Sequence, residues 1–149
     1  MTMLEFINYS VSLNNTSTSL IKDISFKLER AQTLGIVGES GSGKSLTALS
    51  ALGLLNRRIF SIKGQVLVNT RNIFELTESD LNNIRGNEIS MIFQEPMLSL
   101  NPVKDLQSQI YECAELSDKN LNHNDIKNSL NAVGLSNTNK ILSSYPHMI

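Results

Sequence analysis

Residues 34–46 of the 149-residue chain read Leu-Gly-Ile-Val-Gly-Glu-Ser-Gly-Ser-Gly-Lys-Ser-Leu. The first four form an uninterrupted apolar run, which is typical of a parallel strand covered on both faces. Residues 38–45 then match the pattern G-x-x-x-x-G-K-[ST] in full. From Lys44 to Leu55 leucines recur every third residue with alanines beside them, which predicts a helix. The order of strand, glycine-rich turn and helix predicts a P-loop.

A P-loop is a phosphate-binding turn, and its residue types follow from that chemistry. Glycines are needed because the backbone wraps a diphosphate with φ angles that a Cβ would penalise. Lys44 supplies charge for the β- and γ-phosphates, the Ser45 hydroxyl takes one position on Mg²⁺, and the helix N-terminus adds partial positive charge. The competing interpretation is a plain glycine-serine turn that carries a lysine by chance. The residues predicted to bind a nucleoside triphosphate with Mg²⁺ are Gly38, Glu39, Ser40, Gly41, Ser42, Gly43, Lys44, Ser45 and Leu46, and this pattern alone does not distinguish a kinase, a GTPase or a pump.

Outside the loop, the N-terminal part of the chain is predicted to be mainly β-structure. Residues 4–12 and 20–28 show the alternation of a half-buried antiparallel pair, and residues 14–18 between them have turn chemistry. Ile62–Val68 and Glu88–Phe93 are also predicted to be strands.

Helices are predicted for the rest of the chain. Thr77-Glu78-Ser79-Asp80 is typical of a capping box, which would open a short helix that Gly86 can close. Beyond Pro102, apolar residues from Leu106 onward suit one helical face, and Asp125–Val133 suits a second helix. No further parallel-strand candidate follows.

Composition excludes several classes of function. With 13 Lys+Arg against 14 Asp+Glu the net charge is -1, which argues against capture by nucleic acid or anionic lipid. The lone Cys113 excludes an intrachain disulfide and a cysteine-built metal site, which suits the cytosol. No apolar run approaches the ~18 residues of a spanning helix. Membrane association is therefore expected only through a partner.

The second informative stretch, residues 85–102, reads Arg-Gly-Asn-Glu-Ile-Ser-Met-Ile-Phe-Gln-Glu-Pro-Met-Leu-Ser-Leu-Asn-Pro. It resembles the ATP-binding subunits of ABC transporters, specifically the oligopeptide, dipeptide and nickel importer branch, whose hallmark is IRGxxIxMIFQEPMxSLNP. The resemblance implies an α/β fold: a P-loop NTPase with a RecA-like core and an antiparallel β subdomain, incomplete at its C-terminal side. In that family the glutamine after the strand contacts Mg²⁺ and the attacking water, and Gln94 matches its position.

The resemblance implies that the chain is the N-terminal part of one ABC ATPase domain. It also implies a division of the chain into four segments. The implied segments are an antiparallel β subdomain (1–33 and 59–70), the P-loop strand and helix (34–58), a helix, strand and glutamine loop (71–102), and the start of a helical subdomain (103–149). The chain departs from the family at two positions. Leu13 stands where an aromatic residue usually stacks on adenine, with Tyr9 nearby but out of register, and Ala31 replaces a usual glycine.

Part of the family's catalytic machinery is missing from the sequence. A P-loop hydrolase needs a second metal anchor, normally an Asp that ends an apolar strand, and this family adds a Glu base directly after it. The sequence has no such run. In related sequences Tyr-Pro-His precedes an LSGG signature, whereas Tyr145-Pro146-His147 precedes only Met148-Ile149. The resemblance thus implies a truncated domain, whose Leu34–Val37 strand would lose covering partners and leave the chain marginally stable and prone to associate.

The expected function is the energy-coupling ATP-binding subunit of an ABC importer for peptides or nickel, at the cytoplasmic face of the cell membrane. Lys44 and Gln94 are the expected catalytic residues, and Ser45 and Gln94 the expected metal ligands. The implied partners are permease subunits, a second ATP-binding subunit in a homo- or heterodimer, and indirectly a solute-binding protein. Three hypotheses stay open: a companion chain completes the ATPase, the chain is a non-catalytic nucleotide-binding module, or it is an inactive truncated gene product. ATP hydrolysis by the isolated chain is not expected.

Overall fold

The computed structural model describes residues 2–16, 18–116 and 121–148. Ser17 of the predicted turn, Ile149, Met1 and residues 117–120 lie outside the described residues. The chain divides into two compact units, Met1–Ser90 and Met91–Ile149. The boundaries of the four segments that the resemblance implies stay predictions.

A four-stranded antiparallel sheet forms the framework of the first unit. Its strands are β1 (Thr2–Leu13), β2 (Ser19–Glu29), β3 (Phe60–Val68) and β4 (Arg71–Asn72), in the order β2-β1-β3-β4. In the register of β1 with its two neighbours, Phe6 lies opposite Phe26 on β2 and Val66 on β3. The predicted strands over 4–12, 20–28 and 62–68 are therefore confirmed.

Two helices, α1 (Lys44–Ala51) and α2 (Glu78–Ile84), complete the first unit and share one hydrophobic core with the sheet. Stacked and edge-on aromatic rings anchor that core, with the centroid of Phe6 4.5 Å from that of Phe26 and 5.2 Å from that of Tyr9. The buried core residues are Phe6, Tyr9, Val11, Ile21, Ala51, Leu55, Val66, Val68, Ile73, Leu81 and Ile84.

Local signals explain the bounds of both helices. The Thr77 side chain accepts a hydrogen bond from the Asp80 amide at 3.2 Å, so the predicted capping box opens α2. The prediction that α1 continues to Leu55 is wrong. The chain turns at Gly53, whose φ is 63°, and the Leu54 amide donates back to the Leu49 carbonyl at 3.1 Å. This left-handed closure ends the helix one turn early.

The second unit is helical in its described part, as predicted. A 3₁₀ turn over Pro96–Ser99 precedes α3 (Leu106–Leu116), α4 (His123–Ala132) and α5 (Thr138–Leu142), and a second 3₁₀ turn covers Pro146–Met148. Among the described residues, no helix has the length and apolar character needed to cross a bilayer.

Two predicted strands are not formed by the described residues. Residues 32–39 belong to no strand, and Leu34, Ile36 and Val37 are 45%, 48% and 93% exposed. In the Glu88–Phe93 stretch, the one assigned pairing is an isolated parallel bridge between Ile89 and Arg85. The reason is that a parallel strand needs a neighbour joined by a crossover, and no described residue provides one beside either stretch. The parallel part of the predicted α/β fold is thus absent from the described residues.

Candidate functional site

The predicted P-loop is an exposed turn that leads directly into α1. Residues 38–42 are exposed, and Gly43 is the N-cap of α1 with a left-handed φ of 92°. Gly41 is also left-handed, with φ of 81°. An L-residue rarely adopts these angles, so glycine is required for the turn that points the loop toward the helix.

Side chains at two of the loop glycines would crowd neighbouring atoms, a serine side chain at Gly38 and strand β2 at Gly43. A Cβ on Gly38 would lie 2.6 Å from Ser42 Oγ. A Cβ on Gly43 would lie 3.1 Å from the Leu20 carbonyl oxygen and 3.2 Å from Ile21 Cγ1 of β2. The loop is therefore a narrow cradle of backbone held against β2, which fits a ligand that main-chain groups bind at close range.

Lys44 places its charge over this cradle. The Nζ atom donates to the carbonyl oxygens of Gly38 at 2.7 Å and Glu39 at 2.6 Å, and lies 3.4 Å from Ser42 Oγ. The ammonium group is thus held at the centre of the loop by neutral oxygens, which an anionic ligand can replace with a more favourable partner.

The N-terminus of α1 adds to the positive character of the site. No acidic side chain occurs in the first turn of the helix to complement its dipole. Ser45 is exposed in that turn, whereas the side chain of Leu46 packs against the hydrophobic core. Leu46 can therefore offer a ligand only its backbone.

A cavity of about 590 Å³ opens beside the loop, a size typical of ligand sites. Ser42, Lys44 and Thr47 contribute its polar wall. The rest of the lining comes from Leu34–Val37 and from β2 residues that are mostly apolar but include Lys22. The predicted phosphate loop thus faces an accessible hollow.

Neither position considered for base stacking offers an aromatic ring to a ligand. Tyr9 is fully buried under the sheet's core face, where desolvation raises the pKa of its hydroxyl and the neighbouring Ser50 side chain offsets part of the rise. Leu13 ends β1 opposite Phe60. The predicted departure at Leu13 therefore leaves no aromatic side chain from β1 to stack on a base.

Gln94 belongs to the second unit. It is exposed and lines a hollow of about 380 Å³ with Phe93, Glu95 and Ser99. Its role in metal and water binding stays a prediction.

The donors fit Mg²⁺ only together with a ligand. No cluster of three or more His, Cys, Asp or Glu side chains occurs in the part of the chain that the structure describes. Mg²⁺ commonly uses one or two protein oxygens together with substrate phosphates and waters, and the Ser45 hydroxyl can be one of these.

The contacts from Leu20 and Ile21 to the loop were not predicted from the sequence. They bring β2 against a glycine more than twenty residues later, and no local pattern marks such an approach.

Comparison with known proteins identifies the family of the chain. The family model described as ABC transporter matches residues 21–148, well over half of the chain. This chain belongs to the ABC transporter family. Its curated relatives include the dipeptide transport ATP-binding protein DppD of Lactococcus lactis subsp. cremoris (strain MG1363), which is 39% identical over 97% of this chain. They also include the oligopeptide transport ATP-binding protein OppD of Escherichia coli (strain K12), 40% identical over 95% of this chain.

The match covers a minority of each relative. The chain spans 43% of the length of DppD and 42% of that of OppD. Among solved structures, an ATP-binding subunit of an ABC transporter superposes on 99% of this chain with a TM-score of 0.67 at 20% identity, and the match covers 56% of that subunit. The predicted fold class, an incomplete ABC ATPase domain with an antiparallel sheet, is confirmed.

Proposed function

We propose that this chain carries the phosphate-binding part of the ATP-binding subunit of an ABC importer for peptides. The observation that carries the proposal is the glycine cradle at Gly38–Ser45, with the Lys44 ammonium group held over it at the start of α1. Family membership supports ATP as the ligand. Relatives named for dipeptide, oligopeptide and glutathione transport favour a peptide cargo over nickel.

Each residue has a distinct part in nucleotide binding. Lys44 exchanges its two carbonyl partners for phosphate oxygens, and the free amides at the start of α1 donate to the same anion. The Ser45 hydroxyl is the first-unit ligand for Mg²⁺. Gln94 supplies an uncharged amide that can accept from water or ligate the ion, on an exposed loop.

Hydrolysis needs residues that this sequence does not contain. The second metal anchor and the catalytic base have no candidate run in it. We propose that residues outside this sequence supply both. The proposed assembly includes permease subunits and a second ATP-binding subunit, with a solute-binding protein acting indirectly, at the cytoplasmic face of the membrane.

A non-catalytic nucleotide-binding module is the second candidate. The same missing Asp-Glu run favours it, because binding needs only the cradle whereas hydrolysis needs the base.

Binding and turnover are tested separately on the purified chain. A fluorescent ATP analogue is titrated with Mg²⁺ into the wild type, Lys44→Ala and Lys63→Ala. Lys63 is the matched control because it is an exposed lysine of the first unit that does not line the cavity beside the loop. Since hydrogen bonds to charged groups are each worth about 1.5–3 kcal/mol, Lys44→Ala is expected to weaken binding by at least about tenfold. Lys63→Ala should change the affinity little.

The outcomes separate the proposals. Equal binding by wild type and Lys44→Ala, or none by a folded wild type, overturns the nucleotide site. Binding without phosphate release is the result expected for this chain alone. Phosphate release that disappears in Lys44→Ala would show instead that these residues suffice for hydrolysis.

A further inference from the structure

Arg85 contacts the C-terminal ends of two helices of the first unit. Its backbone amide donates to the Leu81 carbonyl at 2.9 Å, which closes α2. Its side chain reaches across to the end of α1, where Nε donates to the Leu52 carbonyl at 2.9 Å and Nη2 to the Gly53 carbonyl at 3.1 Å. Arg85 therefore joins the end of α2 to the end of the helix that carries the P-loop.

The chemistry of this contact is specific to a guanidinium group. The last carbonyls of a helix have no partner within the helix, and they carry the negative end of its dipole. The planar guanidinium fork donates from separate nitrogens to two carbonyls directly after α1, those of the C-cap residue Leu52 and of Gly53, which an ammonium group cannot reproduce in the same geometry. The side chain is only 21% exposed, and its remaining nitrogen Nη1 is paired with Glu78.

The turn after α1 lies close to both α2 and the Arg85 side chain. A Cβ on Gly53 would lie 3.4 Å from Leu81 Cδ2 and 3.6 Å from Arg85 Nη2. The turn after α1 thus sits directly on α2 and on the guanidinium group. The contacts of this turn with Leu81 and with Arg85 both depend on the close approach of the backbone at Gly53.

The contact of the Arg85 side chain with the Leu52 and Gly53 carbonyls, called the clamp from here on, lies at the opposite end of α1 from the phosphate cradle. With eight residues the helix is about 12 Å long, so a tilt at its C-terminal end displaces the amides at its N-terminal end. Ligand-binding groups must be held to within about 0.5 Å of their productive geometry. The Gly43 carbonyl, which accepts from the Thr47 amide at 2.8 Å, marks the junction of helix and cradle.

We propose that Arg85 is a positioning residue of the nucleotide site: by holding the C-terminal end of α1, it fixes the direction of the cradle at the other end. The effect on affinity rests on the proposed function, because it requires that the chain binds ATP. The clamp itself is present in the nucleotide-free chain and can be tested without ATP.

The test compares Arg85→Gln and Arg85→Lys with Arg57→Gln in the full chain. Arg57 is the matched control because it also donates to a backbone carbonyl of the first unit, that of Phe74, and lies over the Phe74 ring at 5.5 Å. Affinity for ATP with Mg²⁺ is measured at a temperature where circular dichroism shows every variant folded. Amide hydrogen exchange at Thr47 is measured without nucleotide.

Arg85→Gln is expected to weaken ATP binding by about tenfold and to speed exchange at Thr47, because the far end of the helix is released. Arg85→Lys should give a smaller effect of the same kind, and it carries the comparison if Arg85→Gln does not fold. Arg57→Gln should lower the melting temperature without weakening binding.

Three results overturn the inference. The first is an affinity of Arg85→Gln for ATP with Mg²⁺ that equals the affinity measured for the wild type. The second is an equal loss of affinity in Arg57→Gln. The third is unchanged Thr47 exchange in both Arg85 variants. If the wild type does not bind ATP, the proposed function fails and the exchange measurement alone decides whether Arg85 positions α1.

Discussion

Two aliphatic stretches of the first unit have opposite surroundings. Val66 and Val68 of β3 are 0% and 3% exposed, whereas Ile36 and Val37 before the P-loop are 48% and 93% exposed. Both stretches have the composition of a strand. The difference is that β3 has hydrogen-bonded neighbours on both sides, and residues 32–39 have none among the described residues.

This contrast separates what stabilises the unit from what carries its chemistry. The sheet, α1 and α2 bury a common core, and each buried aliphatic or aromatic side chain contributes about 1.5–3 kcal/mol. Residues 34–37, the stem before the P-loop, contribute much less, although the cradle begins directly after them. The cradle is therefore supported through α1 and through its approach to β2 rather than by the stem.

The largest expected effect lies at the centre of the buried region. Phe6→Ala should lower the free energy of unfolding by about 3–5 kcal/mol, because it removes a ring that packs on Phe26 and Tyr9 and leaves a cavity. Urea denaturation followed by circular dichroism measures the loss. Phe6→Leu, which keeps more of the volume, should cost clearly less. A loss below about 1 kcal/mol in Phe6→Ala would contradict the view that the sheet core is the main source of stability in the first unit.

A smaller effect is expected at the edge of the sheet, in the pH dependence of stability. Hydrogen bonds from Arg71 and then Asn69 to the Glu88 carboxylate lower the pKa of Glu88 below its usual value. A carboxyl group with a lowered pKa stabilises the folded state above its unfolded pKa of about 4.3. That contribution is lost as the pH falls through the folded value.

Glu88→Gln should therefore flatten the loss of stability between about pH 5 and pH 3, by less than about 1 kcal/mol because the ion pair is partly exposed. Thermal melts across this pH range provide the measurement. Arg71→Gln should flatten the same range, and the double variant should add little to either single one. A steeper acid limb in Glu88→Gln would contradict the sign of the pKa shift.

Sequence patterns predicted the parts of this chain that local interactions determine. The alternation in β1 and β2, the capping box at Thr77 and the glycine cradle each depend on residues within a few positions, and all three are present. The missing parallel strand at Leu34–Val37 depends on neighbours that no local pattern reports.

The clamp at Arg85 was not predicted for the same reason. The arginine reaches carbonyls more than thirty residues away, and those carbonyls are available only because α1 ends early at Gly53. In the candidate site, the sequence therefore predicted the loop itself but not the contacts from β2 and α2 that hold it and its helix.

The smallest effect on stability is expected at Val37, and it is the sharpest test of the comparison. Because Val37 is almost fully exposed, Val37→Ser should change the free energy of unfolding by less than about 0.5 kcal/mol. The same substitution at the fully buried Val66 should cost several times more, since it places a hydroxyl group in the apolar core. Sedimentation velocity adds a second measurement: an exposed aliphatic segment with unpaired backbone favours association, so Val37→Ser should shift the chain toward monomer. Equal destabilisation by the two substitutions would mean that residues 34–37 are packed in solution. The difference in burial between this segment and β3 would then be contradicted.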